Sequence, residues 1–193
     1  MKKTISIFAV IIIFSASIFS QGFKVKASGE QTFNFQDKAG RNQTTFFSTT
    51  PLEDITGLSG DVKGNLTFSV NDVKTLKGKV TVSVASIKTG IDLRDEHMRD
   101  AGWLDAAKYP EISFEIKKVS DVKSVADNKL TAKITGSYTM KGVTKEVIAD
   151  ATLTYLDESD QTKSRAAGDL LGVQAKFNVK LSDYGVNNKV VGQ

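Results

Sequence analysis

The chain has 193 residues, a formal net charge of +4 at pH 7 and 40% hydrophobic residues. It contains no cysteine and a single histidine, which excludes disulfide bonds, thiolate catalysis and cysteine-held zinc or iron–sulfur centres. A chain of this length suits one domain with its own hydrophobic core, and we see no linker or internal repeat that would divide it.

The first 22 residues predict a secretory signal peptide. Two lysines precede an apolar run over 5–19, and small residues follow at Ser20 and Gly22. This order is typical of an export signal, and the run is shorter than the about 20 residues that a membrane span needs. We expect cleavage after Gly22, with Ala27 as a second candidate and an uncleaved anchor as the alternative. The mature protein would be one domain over 23–193.

Export predicts the location of the protein, and cleavage of the signal peptide changes the net charge that the mature protein carries. Removing Lys2 and Lys3 with the signal peptide lowers the formal charge from its value of +4. Acidic and basic residues alternate along the rest of the chain, as on an ordinary solvated surface. The composition therefore predicts a periplasmic or secreted protein and gives no reason to expect nucleic acid as a partner.

Six segments alternate apolar and polar residues with a period of two, which predicts antiparallel strands with one face on a core. Parallel strands would read as continuous apolar runs between helices. Weaker segments at 32–35 and 44–49 bring the number of expected strands to eight, which suits an all-β barrel or sandwich. The six segments are 66–70, 80–84, 112–116, 130–140, 147–155 and 173–181.

Polar or glycine-bearing stretches separate these segments and predict turns. Lys141-Gly142 offers residues for a close reversal with positive φ. Gly136 interrupts a predicted strand, which favours a bulge or bend over a close contact with a ligand. The expected turns are at 71–78, 121–129, 141–145 and 157–172.

One helical insert, at about 92–106, interrupts the alternation. Asp92 is expected to cap its N-terminus, and Gly102 limits how far a regular helix can run. The residues at helical spacing, which predict its inward face, are Leu93, His97, Ala101 and Leu104, with Met98 beside them.

The charged residues of this insert allow two interpretations. A solvated face would carry an Asp95–Arg99 ion pair, which stabilises an isolated helix by only about 0.3 kcal/mol. Alternatively, Arg94 or His97 would contact the head group of a ligand at the mouth of a barrel. We favour the solvated face.

Several blocks of the sequence resemble the YceI-like family and follow its order along the chain. The match covers most of the mature chain. The family's last aromatic-glycine step is usually followed by one more strand, and here only 186–193 follows it. The blocks are 86–90 (SIKTG), 94–98 (RDEHM), 103–105 (WLD), 109–114 (YPEISF), 136–147 (GSYTMKGVTKEV) and 177–185 (FNVKLSDYG).

The resemblance implies a lipocalin-like, up-and-down antiparallel barrel that holds a long apolar molecule, such as a polyisoprenoid or an isoprenoid quinone. An eight-stranded barrel has room for its own side chains or for one slim ligand. Small inward residues favour a cavity, whereas large aromatic ones favour a filled interior. The expected ligand contacts are Phe68, Val82, Val84, Leu93, His97, Trp103, Phe114, Tyr138, Met140, Ala151 and Phe177.

We therefore expect a lipid carrier or store and not an enzyme, with no metal and no cofactor other than the bound lipid. Transient membrane contact and a homodimer stay open. One alternative is a structural or adhesive β-sandwich with a dry core. Another is a hydrolase that uses His97 with Asp95, Glu96 or Asp100, although no nucleophile or metal motif accompanies that histidine.

Overall fold

The computed structural model describes residues 21–35, 37 and 39–186. Most of the predicted signal peptide and the segment 187–193, where the family resemblance implies a further strand, lie outside these residues. The described strands are β1 (Glu30–Asn34), β2 (Thr44–Thr49), β3 (Asp54–Ser59), β4 (Val62–Ser69), β5 (Asp72–Ser83), β6 (Glu111–Ala126), β7 (Lys129–Met140), β8 (Val143–Leu156) and β9 (Leu170–Lys176). The helices are α1 (Asp92–Arg99) and α2 (Asp160–Lys163), with 3-10 turns at Val84–Ser86 and Leu181–Tyr184.

Seven strands form one antiparallel sheet in the order β1-β4-β5-β6-β7-β8-β9, and β2 and β3 form a separate hairpin. From β4 to β9 each strand pairs with the next one along the chain, which confirms the predicted all-β, up-and-down architecture. The sheet curls so strongly that the rings of Phe33 on β1 and Tyr155 on β8, which are far apart in the strand order, lie 5.6 Å from each other. Strands β1 and β9 are the two edges of this described sheet, which is a half-barrel with a seam between them.

Two hydrophobic clusters lie along the inner face of the sheet. The first, which we call the sheet core, surrounds Phe68 and Tyr155, both fully buried. The second, the helix-end core, lies where α1 and the last 3-10 turn cover the sheet. The buried residues of the helix-end core are Val84, Ile87, Met98, Leu104, Met140, Tyr184 and Val186.

The alternating segments predicted the strands well, but two expected turns are wrong in extent. β5 already begins at Asp72, so only the start of 71–78 is a turn. β6 continues to Ala126 through a positive φ of 52° at Asp121. The pairing with β7 shifts register around that position. A bulge therefore keeps a polar segment in the sheet, where composition alone favours a turn.

The predictions near the C-terminal edge also needed correction. The polar stretch 157–172 contains the short helix α2 and the beginning of β9. The predicted strand over 173–181 ends at Lys176, and Leu181 begins a 3-10 turn. β3, which sequence alternation missed, pairs with β2 throughout its length.

Both glycine predictions are confirmed. Lys141 and Gly142 have φ values of 49° and 75° and connect β7 to β8 as a two-residue turn, the geometry whose twist suits adjacent strands. Gly136 lies opposite a register shift in β6 between Ile116 and Lys118. A side chain at Gly136 would collide with the ring of Phe114, so the missing Cβ lets that ring lie against the backbone.

The helical insert is shorter than predicted and rotated about its axis. α1 ends at Arg99 and is followed by turns, and its N-cap is Ile91, without a side-chain capping bond. The prediction that Asp92 caps the helix is therefore wrong. Its buried residues are Asp95 and Met98, whereas Leu93 on the predicted inward face is 61% exposed.

Candidate functional site

The inner face of the curled sheet holds most of the side chains that the sequence suggested as ligand contacts. Phe68 and Ala151 are buried in the sheet core. Val84 and Met140 are buried in the helix-end core. Val82 is also buried, at 8% exposure. The period of two along each strand therefore identified the correct face.

Three half-buried aromatic residues connect the two clusters. The ring of Phe177 lies 5.6 Å from that of Phe114 and 5.2 Å from that of Tyr138. Tyr138 in turn contacts Tyr184 of the helix-end core at 5.6 Å. Burial raises the pKa of Tyr138 to about 12, with a smaller contribution from the nearby Tyr184. This row of rings forms an apolar path along the inner face.

Aromatic rings also fill the sheet core. Phe68 contacts both Phe23 and Phe33 at centroid distances of 5.9 Å. Tyr155 lies 5.6 Å from each of the same two rings. Around these rings the space inside the curled sheet is filled by side chains, as we expect if large aromatic residues fill the interior. Sequence analysis missed Phe23 and Phe33 as core residues, because neither lies in a long alternating segment.

Two clefts open onto these clusters. The seam cleft, of about 480 Å³, lies between β1 and β9. Its apolar lining is formed by Phe33, Phe35, Leu66, Leu171 and Val173. The helix-end cleft, of about 570 Å³, includes Trp103, the one predicted contact residue that lines either cleft. Its other lining residues are Ser48, Val179, Lys180, Leu181, Ser182 and Val186.

Asp95 is a buried carboxylate, contrary to the prediction that it belongs to a solvated, ion-paired face. It is 1% exposed and accepts hydrogen bonds from the backbone nitrogen of Thr89 at 2.8 Å and from Thr89 Oγ1 at 2.7 Å. Lys88 Nζ lies 3.6 Å away. Burial favours a higher pKa for Asp95, but these hydrogen bonds and the lysine charge outweigh it and lower the pKa. Asp95 thereby ties α1 to Thr89, in the segment between the 3-10 turn at Val84–Ser86 and the helix.

Arg94 also helps to hold α1 in place, through a contact with the β2–β3 hairpin. Its guanidinium lies 2.7 Å from a carboxylate oxygen of Glu53, the residue just before β3 of the β2–β3 hairpin. The hairpin is further held by backbone hydrogen bonds of 2.8 Å between Leu58 and Lys88 in both directions. Arg94 is thus occupied by a protein carboxylate, and the hairpin pairs with Lys88, next to the Thr89 that Asp95 binds.

His97 and Leu93 lie on the exposed side of α1. Across the described ranges we find no group of three or more histidine, aspartate or glutamate side chains placed to hold a metal ion. Within the same ranges, none of the helices has the length and apolar character required to cross a membrane. The apolar side chains of the inner face and the two clefts that open onto them form the candidate site.

Comparison with known proteins places this architecture in a family. The model of the YceI-like domain matches residues 24–193. The chain belongs to the YceI-like family. Protein YceI from Escherichia coli O17:K52:H18 is 30% identical to it over 189 residues, covering 96% of this chain and 88% of that protein. The UPF0312 protein from Pseudomonas fluorescens is 32% identical over 151 residues, covering 77% of this YceI-like chain and 74% of that protein.

A solved structure from another organism is also similar. It is a polyisoprenoid-binding domain from Saccharophagus degradans implicated in plant cell wall breakdown. The match covers 78% of this YceI-like chain and 96% of the chain of that domain. The sequence identity is 12% and the TM-score is 0.43. A likeness of this size does not establish a shared binding site.

Proposed function

We propose that this YceI-like domain is an exported, non-catalytic lipid-binding protein. It holds the apolar chain of a polyisoprenoid, an isoprenoid quinone or a similar lipid against the inner face of its half-barrel, for transport or storage. The observation that carries this proposal is the continuous apolar surface from the sheet core, through the rings of Phe114, Phe177 and Tyr138, to the helix-end core.

The seam offers a route to that surface. β1 and β9 are the edges of the described sheet, and Leu171 and Val173 on β9 are only partly buried against the sheet core. A chain entering here would lie on apolar side chains at once. Each buried methylene stabilises the complex by about 0.8 kcal/mol, so a five-carbon isoprene unit contributes about 4 kcal/mol before the costs of binding.

The surroundings of the helix support a binding role over a catalytic one. The hydrolase alternative needs His97 beside Asp95, Glu96 or Asp100. Asp95 is buried and engaged by Thr89, and among the described residues the His97 side chain has no ion pair or hydrogen bond to Glu96 or Asp100. A general base must reach its proton donor within hydrogen-bonding distance. The dry-sandwich alternative agrees with the ring-filled sheet core, and the following experiment separates it from lipid binding.

The test is native mass spectrometry of the protein purified from its exporting host without detergent, followed by organic extraction. We expect a discrete excess mass that extracts as an intact long-chain lipid. A protein that carries no lipid and takes up neither polyprenols nor quinones would contradict the proposal and leave a dry β protein. Polyprenols are chosen as the first probe because the S. degradans domain is described as polyisoprenoid-binding.

A pair of variants locates the binding surface. Val173→Trp places a large ring in the seam cleft and should reduce lipid loading severalfold. Ile148→Trp places the same ring on β8, where residue 148 is 57% exposed, and should leave loading unchanged. Equal loading of both folded variants would show that the chain does not occupy the seam.

A further inference from the structure

The seam cleft is amphiphilic because it spans the edge of the sheet. On its inner side, Leu171 and Val173 pack against the sheet core. Lys129, Thr154 and Gly172 lie in one row across β7, β8 and β9. Alternation places this row on the opposite face of the sheet. All five residues line the same cleft, so one wall is apolar and the other polar.

The charged groups of the cleft have one sign. Its charged lining residues are Arg41, Lys129 and Arg165, and no aspartate or glutamate is among the described residues that line it. Arg41 is already paired, since its Nε lies 2.6 Å from Asp37 Oδ2. That arginine also contributes to lowering the pKa of Asp37 to about 2. Arg41 is therefore largely compensated by the protein itself.

Lys129 and Arg165 differ from Arg41 in this respect. In the part of the chain that the structure describes, neither side chain has an ion-pair or hydrogen-bond partner. The carboxylate of Asp169, four residues after Arg165 in the chain, accepts hydrogen bonds from the Tyr155 hydroxyl at 2.6 Å and from the Glu158 backbone at 2.7 Å. Two cations thus remain uncompensated beside the opening of an apolar cleft.

We propose that the seam cleft binds an amphiphile with one long apolar chain and an anionic head group. The chain lies over Leu171 and Val173, and the head group lies at Lys129 and Arg165. This inference rests on the proposed function and adds the chemical class of the head group, which the apolar interior does not specify. A carboxylate and a phosphate monoester share the required chemistry, because a guanidinium can bind two oxygens of either group.

The test compares ligands that share a chain and differ in the head group. Oleate and oleyl alcohol have the same hydrocarbon chain, and dodecyl phosphate against inorganic phosphate separates an amphiphile from a free anion. We expect the delipidated protein to bind oleate about fivefold to tenfold more tightly than oleyl alcohol. We also expect it to bind dodecyl phosphate but not inorganic phosphate. The amphiphiles are kept below their micelle concentrations.

Charge variants assign the effect to the cleft. Lys129→Gln combined with Arg165→Gln should remove the preference for oleate and leave the affinity for oleyl alcohol within about twofold. The control combines Lys118→Gln with Lys123→Gln, which removes two exposed lysines from β6, away from the cleft, and should retain the preference. The urea midpoints of both double variants establish that they are folded.

The outcomes separate this inference from the proposed function. If oleate and oleyl alcohol bind the unaltered protein equally, the anionic head group is wrong while lipid binding stands. The same conclusion follows if both double variants lose the preference equally, or if inorganic phosphate binds as tightly as dodecyl phosphate. If neither chain binds, the anionic amphiphile is wrong, and the uptake of polyprenols or quinones decides separately whether the proposed function stands.

Discussion

At the scale of single residues, Asp95 differs most from the behaviour expected of its sequence context. A charged residue in a charged helix predicts a solvated side chain, but this carboxylate is buried and receives two hydrogen bonds from Thr89. A buried charge is tolerated only when donors replace the water that it loses. Asp95 and Thr89 therefore act as a clamp between α1 and the segment that precedes it.

Replacing the clamp should destabilise the domain. Asp95→Asn keeps the shape and the Oδ1 acceptor that both Thr89 donors reach, but it removes the negative charge and places an N–H donor at the Oδ2 position that faces Lys88 Nζ. The substitution should lower the free energy of unfolding by about 1–3 kcal/mol at pH 7. The measurement is urea unfolding. Asp92→Asn, on the exposed side of the same helix, is the matched control and should stay within about 0.5 kcal/mol of the unaltered protein.

The pH dependence of this effect follows from the direction of the pKa shift. The folded-state pKa of Asp95 is lowered below its ordinary value, so the stability it contributes is fully present above the unfolded-state pKa of about 3.9 and declines as the pH falls toward the folded-state pKa. The difference between the unaltered protein and Asp95→Asn should therefore be constant above about pH 5 and shrink below about pH 4. A difference that grows on acidification would contradict the clamp.

At the scale of elements, the segment just after the predicted cleavage site is part of the fold. Phe23 is 3% exposed in the sheet core, and its backbone nitrogen donates to Val70 at 2.8 Å. The next residue, Lys24, donates its backbone nitrogen to Asp127 at 2.7 Å. Cleavage after Ala27 would remove these contacts, whereas cleavage after Gly22 would retain them. The packing therefore favours Gly22 between the two candidate sites.

This preference leads to a prediction with two measurements. N-terminal sequencing or intact mass of the exported protein should place the mature N-terminus at Phe23. Phe23→Ala should lower the free energy of unfolding by about 3–5 kcal/mol, because it leaves a cavity among rings that do not collapse freely.

Phe47→Ala removes the same ring at a position that is 67% exposed and serves as the control, with a small expected effect. A mature N-terminus at Ser28 in a protein of normal stability would contradict the structural role of this segment.

At the scale of the whole molecule, the two clusters and the seam determine how ligand binding should affect stability. A lipid that binds the folded half-barrel and not the unfolded chain stabilises the folded state by mass action. At a free ligand concentration of 100 times Kd the gain is about 2.7 kcal/mol. For a domain of this size we expect the melting temperature of the delipidated protein to rise by about 5–10 °C on loading.

Thermal unfolding of the delipidated protein, followed at increasing concentrations of a polyprenol, measures this shift. The melting temperature should rise with the logarithm of the free concentration once that concentration exceeds Kd. Val173→Trp should weaken the shift, and Ile148→Trp should retain it. A shift of the same size in both variants would place the chain outside the seam cleft.

The sequence predicted those features that depend on neighbouring residues, and it failed where a contact between distant residues decides the structure. Phe68 and Ala151 were assigned to the inner face because alternation reports the face of a strand locally. Leu93 and His97 were assigned inward by helical spacing, but a helix of two turns fits more than one rotation. The contact between Asp95 and Thr89 decides which rotation is adopted.

By itself, the sequence determined the antiparallel, up-and-down strand order, the turn at Lys141-Gly142 and membership of the YceI-like family, because strand period, turn residues and motif order are local properties of the chain. Only the tertiary structure decided that Phe23 belongs to the core and that β1 and β9 border a cleft. The cleft joins Phe33 and Leu171, which are distant in the sequence. Their proximity arises from the accumulated curl of seven paired strands, which no single segment encodes.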